Sequence, residues 1–533
     1  VAVGELAPGL EINLDSVPKK YEGLNGTELA ISESQERMAV VVAPEDVDTF
    51  CALCGSENVE VTKVAEVTDS GRMRMYYGAQ IVADLSREFI DSAGAQHHSS
   101  AVIASVEEKD PFTLRPEGDS LEEKFLSVMA SPNVASEAGL IEMFDSTIGR
   151  STVLMPFGGR TQRTESQVSV QKLPVIGETD TASMMAFGFD PDISSWSPYH
   201  GAAYAVIDAC TKVAAAGGEW SGMRFSYQEY FERMTSDPHS WGKPLSALLG
   251  ALKMQLALGL PSIGGKDSMS GTFEDLSVPP TLIAFGIRTV RASEVISPEF
   301  KKAGNRIAIY RHTPLKDGMP DTDLLRKNWD NVRRQALSGK IVSAWAVGCG
   351  GVAEGLVKMA LGNNLGFDVM VSEEDLFRRG YGSIIVESIL PLEDGAEDIG
   401  IVKEDMTVNG THLDKEAIFS AWEGHYEKVY PSSAEPSSKD LLPRGTVLPS
   451  LLKPKAYPGD PIELPLVYIP VFPGTNCDYD TAAAFRAAGA RVKMGVFRNL
   501  TGEDVISSID EMAKEIASCQ ILALAVGFSE GDE

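Results

Sequence analysis

Basic residues are scarce in this 533-residue chain: 47 Lys and Arg face 76 Asp and Glu, a net charge of −29. A surface that acidic repels phosphodiester backbones and anionic lipid, so no nucleic-acid or membrane binding through a basic face is expected. An anionic small substrate would need a local pocket of Lys, Arg or backbone N–H groups. Long hydrophobic runs are also missing. No stretch reaches the roughly 18 apolar residues of a membrane span, and the opening VAVGELAPGLEINLD lacks the basic-then-apolar order of a signal peptide. Cysteine is sparse: Cys51, Cys54, Cys210, Cys349, Cys477 and Cys519 are too scattered for a disulfide framework, and a reducing cytoplasm fits best. What is present, 43% hydrophobic and 23% charged residues, is the balance of an ordinary globular protein. At roughly 100–200 residues per domain, three to five domains are expected. The chain opens at Val1 without Met and stops in GFSEGDE, so both ends read as cut.

Strand-like alternation predicts strands at 38–42, 59–67, 73–79, 306–310, 383–387 and 466–471. Helical stretches lie at 201–215, 243–259, 352–362 and 481–490, and a regular βαβ rhythm emerges only near the end. Residues 430–464, rich in Pro, Ser and Lys, read as a linker at a domain border. The first hundred or so residues also repeat in 351–420. ISESQERMAVVVAPED corresponds to GYGSIIVESILPLED, each copy ending in a hairpin, and SESQER in the first copy becomes RRGYGS in the second.

Several motifs bear on chemistry. In GGKDSMSG, Gly264 and Gly265 allow a tight turn that presents N–H groups to an anion, and Lys266 adds positive charge. It falls short of a P-loop, because Asp267 intrudes, Ser268 comes one residue late and no helix follows. A phosphate-contacting loop at a strand end and a plain turn both remain open, with Asp267 a possible metal or hydroxyl partner. In ISESQERM, Glu33, Ser34 and Gln35 offer donors and acceptors to a hydroxylated, amide-bearing ligand; a solvated turn is the alternative. SPYHGAAYAVIDAC predicts an Ala-rich helix opened by Pro198, with His200 capping or satisfied locally. Cys51 and Cys54 form a lone CxxC, with His97 and His98 the only nearby ligands for zinc; two ordinary thiols on a helix are the simpler reading. GCGGVAEG lacks the spacing of a dinucleotide loop. No His follows Cys477, so that thiol has no base in its own segment.

SESQERM, the YHGAA helix, GGKDSMS and PGTNCDYD…GFSEGD occur in the order seen in phosphoribosylformylglycinamidine synthase of the large, single-chain type, and the chain resembles that family over nearly its whole length. The resemblance implies a multidomain α+β and α/β fold, with aminoimidazole ribonucleotide synthetase-like N- and C-terminal lobes followed by the start of a class I glutaminase. On that basis 1–107 is the end of a first C-terminal lobe, 108–150 a connector, 151–292 a second N-terminal lobe and 293–430 its C-terminal partner. Residues 431–464 are then a linker and 465–533 the opening of the glutaminase.

Family members use ATP, Mg²⁺ and glutamine-derived ammonia to convert formylglycinamide ribonucleotide to its amidine. By motif, Glu33, Ser34, Gln35 and Ser268 correspond to substrate contacts, and Gly264, Gly265 and Lys266 to nucleotide or phosphate contacts. The ATP loop of the first lobe would precede Val1 and the glutaminase Cys and His would follow Glu533, so the chain alone is expected to be inactive. Exposed lobe surfaces would allow self-association.

The large members hold an auxiliary magnesium nucleotide in their second half. At the corresponding positions this chain carries Lys172, Asp208, Lys212 and Ala346, and three of those four side chains offer magnesium no oxygen. Either the auxiliary nucleotide is absent, with lysines replacing the cation charge, or the correspondence shifts. Val526 stands where the glutaminase turn usually has Gly. The alternatives are a non-catalytic structural half and a related synthetase of the same superfamily.

Overall fold

The repeated blocks fold into the same strand arrangement. In the first copy, Gly9–Asn13 pairs antiparallel with Ala65–Thr68 and parallel with Arg72–Tyr77, which turns back into Gln80–Ser86. In the second, Gly366–Val369 pairs antiparallel with Glu397–Lys403 and parallel with Met406–Val408, which turns back into Thr411–Leu413. Register agrees as well: Leu10 stands between Val67 and Met73, as Phe367 stands between Val402 and Met406. In each copy a short helix capped by a polar side chain follows the first strand, Asn25 before Gly26–Ile31 and Ser372 before Glu373–Leu376.

These elements belong to a computed structural model that describes residues 4, 6–19, 21–32, 37–92, 98–144, 146–147, 151–175, 177–392, 395–433 and 462–527. The chain divides into two units, Val1–His98 with Pro443–Glu533, and Ser99–Leu442. The expected linker lies largely outside the described residues.

Two expected strands differ. Residues 38–42 join no ladder among the described residues and are largely exposed. Their counterpart in the second copy, Ile384–Ser388, is held between Arg306–Tyr310 and Ile341–Ala346. No described residues of the first unit supply such neighbours, and an apolar segment without a ladder has no reason to be a strand. Of 59–67, only the end forms, as Ala65–Thr68.

The unit Ser99–Leu442 carries two large sheets. The five-stranded one runs Ser262–Ser268, Arg224–Tyr230, Thr281–Arg291, Thr181–Gly188, Ser169–Lys172. Strict alternation in Thr181–Gly188 turns Ala182, Met184 and Ala186 inward against the helix Pro198–Ala215. That helix is buried almost throughout, and Pro238–Leu258 packs against it; small side chains allow both close layers. The seven-stranded sheet runs Ile341–Ala346, Ile384–Ser388, Arg306–Tyr310, Glu397–Lys403, Gly366–Val369, Met406–Val408, Thr411–Leu413. It shares a second core with the helices Gly351–Leu361 and Leu121–Met129, centred on Phe125, Trp345, Leu356 and Phe367.

In the other unit, Leu466–Val471 lies between parallel Arg491–Val496 and Ile521–Leu522, with the helices Asp478–Ala487 and Gly502–Ser518 as crossovers. Cys477 sits in the first strand-to-helix turn with its thiol directed to Asn476. No helix among the described residues is long and apolar enough to cross a membrane.

Candidate functional site

Gly264, Gly265, Lys266, Asp267 and Ser268 do not form a strand-end loop. They lie within an edge strand, parallel to Arg224–Tyr230, with Lys266 opposite Gln228, Asp267 opposite Glu229 and Ser268 opposite Tyr230. The glycine-rich look comes from the entry to this strand. Register slips between Ser262 and Gly264, and Gly264 takes φ +138°, a conformation that L side chains rarely adopt. An edge strand leaves one row of N–H groups unpaired in its sheet. Lys266 is exposed and makes no ion pair among the described residues, so the strand edge pairs free donors with a free cation, chemistry suited to an anion.

Period-two alternation puts Asp267 on the face of Glu229, opposite to Lys266. Glu229 is buried, and burial first, then the Asp267 charge, pushes its carboxyl up to about 7. An unfolded chain releases that proton near the ordinary 4.5, so folded protein holds the extra proton between those values. The stability gained is fully present below the lower value and is lost as pH rises through about 7. Glu229→Gln should therefore gain stability relative to the parent as pH is raised from about 5 to about 8 in urea unfolding; a pH-independent difference would refute this.

Glu33, Ser34 and Gln35 lie outside the described residues. Cys51 and Cys54 sit on the helix Val47–Ser56 as free thiols, and no group of three or more potential metal ligands occurs among the described residues. His200 is a buried local partner: Nδ1 meets the Ser197 hydroxyl at 2.8 Å and Nε2 the Asp317 carbonyl at 3.0 Å.

A second constellation is buried within Ser99–Leu442. Asp208 Oδ2 lies 2.8 Å from Lys212 Nζ, which also donates to the Phe187 carbonyl at 2.8 Å and stands over the Phe187 ring. Lys358 Nζ meets Glu165 Oε2 at 2.6 Å and Glu354 Oε1 at 3.1 Å, while Glu354 Oε2 accepts the Gly350 N–H at 2.8 Å. Asp190 accepts from the Tyr381 hydroxyl at 2.8 Å and pairs with Arg379 at 3.1 Å. Burial pushes the Asp208 and Glu165 carboxyls up against the pull of their lysines, whereas the two carboxylates hold the Lys358 ammonium well above its ordinary value.

The donor set does not suit magnesium. Lys212 occupies the free side of Asp208, and Lys172 acts on Asp180. Ala346 is closed by Gln167, whose amide donates to its carbonyl at 2.9 Å and accepts its N–H at 2.8 Å.

The segment RRGYGS, in the place of SESQER in the repeat, lines a cavity of about 580 Å³ in Ser99–Leu442. Phe112 fills one side of it, edge-on to Tyr204 with centroids 5.1 Å apart, and its carbonyl accepts the Arg379 N–H at 2.8 Å. Asp110 takes the Arg378 guanidinium at 2.8 Å. On the far wall His312 is neutral, accepting the Asp321 N–H on Nε2 and donating from Nδ1 to the Tyr381 carbonyl, and burial lowers it to about 4.

Sequence reasoning missed Lys358, Glu165, Glu354, Asp190 and Arg379. One local signal was present: Glu354 and Lys358, four apart, interrupt an otherwise apolar helix face, and buried charges on a helix require partners. Nothing local marks Glu165.

Residues 1–78 match the model of the AIR synthase related protein C-terminal domain, and residues 464–533 that of the CobB/CobQ-like glutamine amidotransferase domain. Phosphoribosylformylglycinamidine synthase subunit PurL of Leuconostoc mesenteroides is 25% identical over 459 residues, 80% of this chain and 59% of the relative. The PurL subunit of Thermococcus sibiricus is 27% identical over 455 residues, 78% of this chain and 60% of the relative. The chain thus spans about three fifths of the length of these curated relatives. T. maritima PurL complexed with ATP has the same fold at a TM-score of 0.54 and 20% identity, over 74% of this chain and 59% of that one. Its complex with AMPPCP gives 0.55 and 20%, over 76% and 61%.

Proposed function

We propose, from a chain that matches PurL-type phosphoribosylformylglycinamidine synthase in sequence and in fold over part of that protein's length, that it supplies part of an ATP- and glutamine-dependent carbon–nitrogen ligase of purine biosynthesis. The observation that carries the reading is the PurL likeness along most of the chain, with a synthetase-type segment at one end and an amidotransferase-type segment at the other. The substrates are formylglycinamide ribonucleotide, ATP and ammonia released from glutamine, and the compartment is the cytoplasm.

An amide carbonyl is a poor electrophile, so its oxygen must first be phosphorylated before ammonia attacks the carbon and phosphate leaves. The protein's share of this work is alignment and charge neutralisation. In this chain Lys266 supplies the cation, and the outward-facing one of the Gly264 and Gly265 N–H groups a donor, for a phosphate. Ser268 supplies a hydrogen bond to substrate.

The test is phosphate release that depends on formylglycinamide ribonucleotide, with ATP, Mg²⁺ and ammonium salt, from this chain and from one extended at both ends. Turnover by the extended chain, cut by roughly 10–100-fold in Lys266→Met, is the expected result. An extended chain that ignores formylglycinamide ribonucleotide would defeat the reading.

A second reading, a structural half without catalysis, is favoured for 151–430 by the Asp208–Lys212 pair. A related superfamily synthetase is disfavoured by the amidotransferase match.

A further inference from the structure

Two ammonium groups of Ser99–Leu442, Lys212 and Lys358, meet carboxylates carried by their own helices and by a two-stranded hairpin. Lys358 rises from the helix Gly351–Leu361 behind the seven-stranded sheet and reaches Glu165, on the hairpin strand Thr164–Glu165 that precedes the five-stranded sheet. The ammonium-bearing side chain is 6% exposed and that of Glu354 only 7%. Lys212 pairs with Asp208 one turn away on its own helix, its ammonium over the Phe187 ring. The two pairs belong to one electrostatic network, because the Glu354 and Asp190 charges both act on Asp208.

Withdrawing such charges from water costs several kcal/mol per ion, and only a well-placed partner offsets it. Three buried carboxylates (Asp190, Asp208, Glu354) and the half-buried Glu165 therefore demand cations, and in this chain Lys212, Lys358 and Arg379 provide them. Magnesium would need a shell of oxygens around it. A lysine nitrogen already fills the place beside Asp208, and Gln167 closes the backbone at Ala346. Solved PurL structures include complexes with ATP and ADP, so nucleotide belongs to this fold elsewhere.

We infer that Lys212 and Lys358 take the place of a magnesium-bound nucleotide in this half, neutralising its carboxylates through internal ion pairs and leaving no magnesium site for a nucleotide there. What the lysines replace rests on the synthase reading; their role as internal cations does not.

The full chain is titrated with Mg–ADP and heated with and without EDTA, as parent and as Asp208→Asn. EDTA is expected to leave the melting temperature unchanged, and any Mg–ADP affinity to change less than about twofold in Asp208→Asn. Magnesium-dependent ADP binding that Asp208→Asn weakens by about tenfold or more would overturn the inference.

The ion pairs are tested without nucleotide or substrate, so this arm fails independently of the synthase reading. Lys358→Ala should lower the melting temperature by about 5–10 °C, with partial recovery by ethylammonium and none by tetramethylammonium, which is too bulky and has no N–H. If Lys358→Ala does not fold, Lys212→Ala carries the same recovery test. A variant as stable as the parent, or one that neither amine distinguishes, would overturn the inference.

Discussion

Gly250→Val is expected to cost the Ser99–Leu442 unit more than about 4 kcal/mol and to erase its cooperative unfolding transition. Gly250 lies on the helix Pro238–Leu258 where it crosses Pro198–Ala215. A Cβ built there would stand 2.0 Å from the Tyr199 carbonyl oxygen and 2.8 Å from its carbon. These are backbone atoms at the start of a buried helix, so no side-chain rotation relieves the clash. The helices must part, and the core that both share with the five-stranded sheet opens with them. Gly55→Ala, on a helix where an added Cβ meets nothing within 4 Å, is the control and should change stability by only about half a kcal/mol. Urea unfolding followed by near-ultraviolet circular dichroism reads both, and a Gly250→Val protein with an unshifted midpoint would show that the helices are not locked at this crossing.

Glu387→Gln is expected to cost about 2–4 kcal/mol although it preserves shape. Glu387 is fully buried and makes no ion pair with a lysine or arginine side chain among the described residues. Four donors converge on its carboxylate instead. Oε1 accepts from the Asn305 amide at 2.6 Å and the Lys302 N–H at 3.1 Å; Oε2 accepts from the Lys301 N–H at 2.7 Å and the Ser343 hydroxyl at 2.9 Å. Gln replaces one oxygen with an NH₂ group, which then faces two donors and leaves them unsatisfied. Ser343→Ala removes one donor only and should cost about 1 kcal/mol. Equal midpoints for Glu387→Gln and Ser343→Ala would show that the loop around Lys301 relaxes rather than depends on the carboxylate.

What the sequence made legible was local. The two copies were visible because hairpins and the short helices before them are encoded within a few dozen residues, and their register proves the same. The strand predicted at 38–42 failed for the opposite reason: its alternation is real, but a strand also needs neighbours to pair with, and these the described residues of its unit lack. GGKDS suggested a loop because glycines dominate it, yet only Gly264 uses that freedom, and the rest runs extended against Arg224–Tyr230. Of the site residues, Lys212 was readable as a mismatch with magnesium only through the family resemblance, which sets a lysine at a ligand position; its pairing with Asp208 one helical turn away is seen in the structure. Glu165 was not readable, because 193 residues separate it from Lys358 and no pattern of charge or spacing links them.

The strand order of the seven-stranded sheet also carries a message about timing. Ile384–Ser388 lies between Arg306–Tyr310 and Ile341–Ala346, yet it is the last of the three to be made. At about 5–20 residues per second a ribosome leaves the earliest of these strands waiting on the order of ten seconds for the one that separates them. Through the later part of that interval two apolar strands wait without the partner that separates them. A chaperone that captures extended hydrophobic segments therefore has its opening while this sheet is being translated, and a pause between the codons for Ala346 and Ile384 would lengthen it.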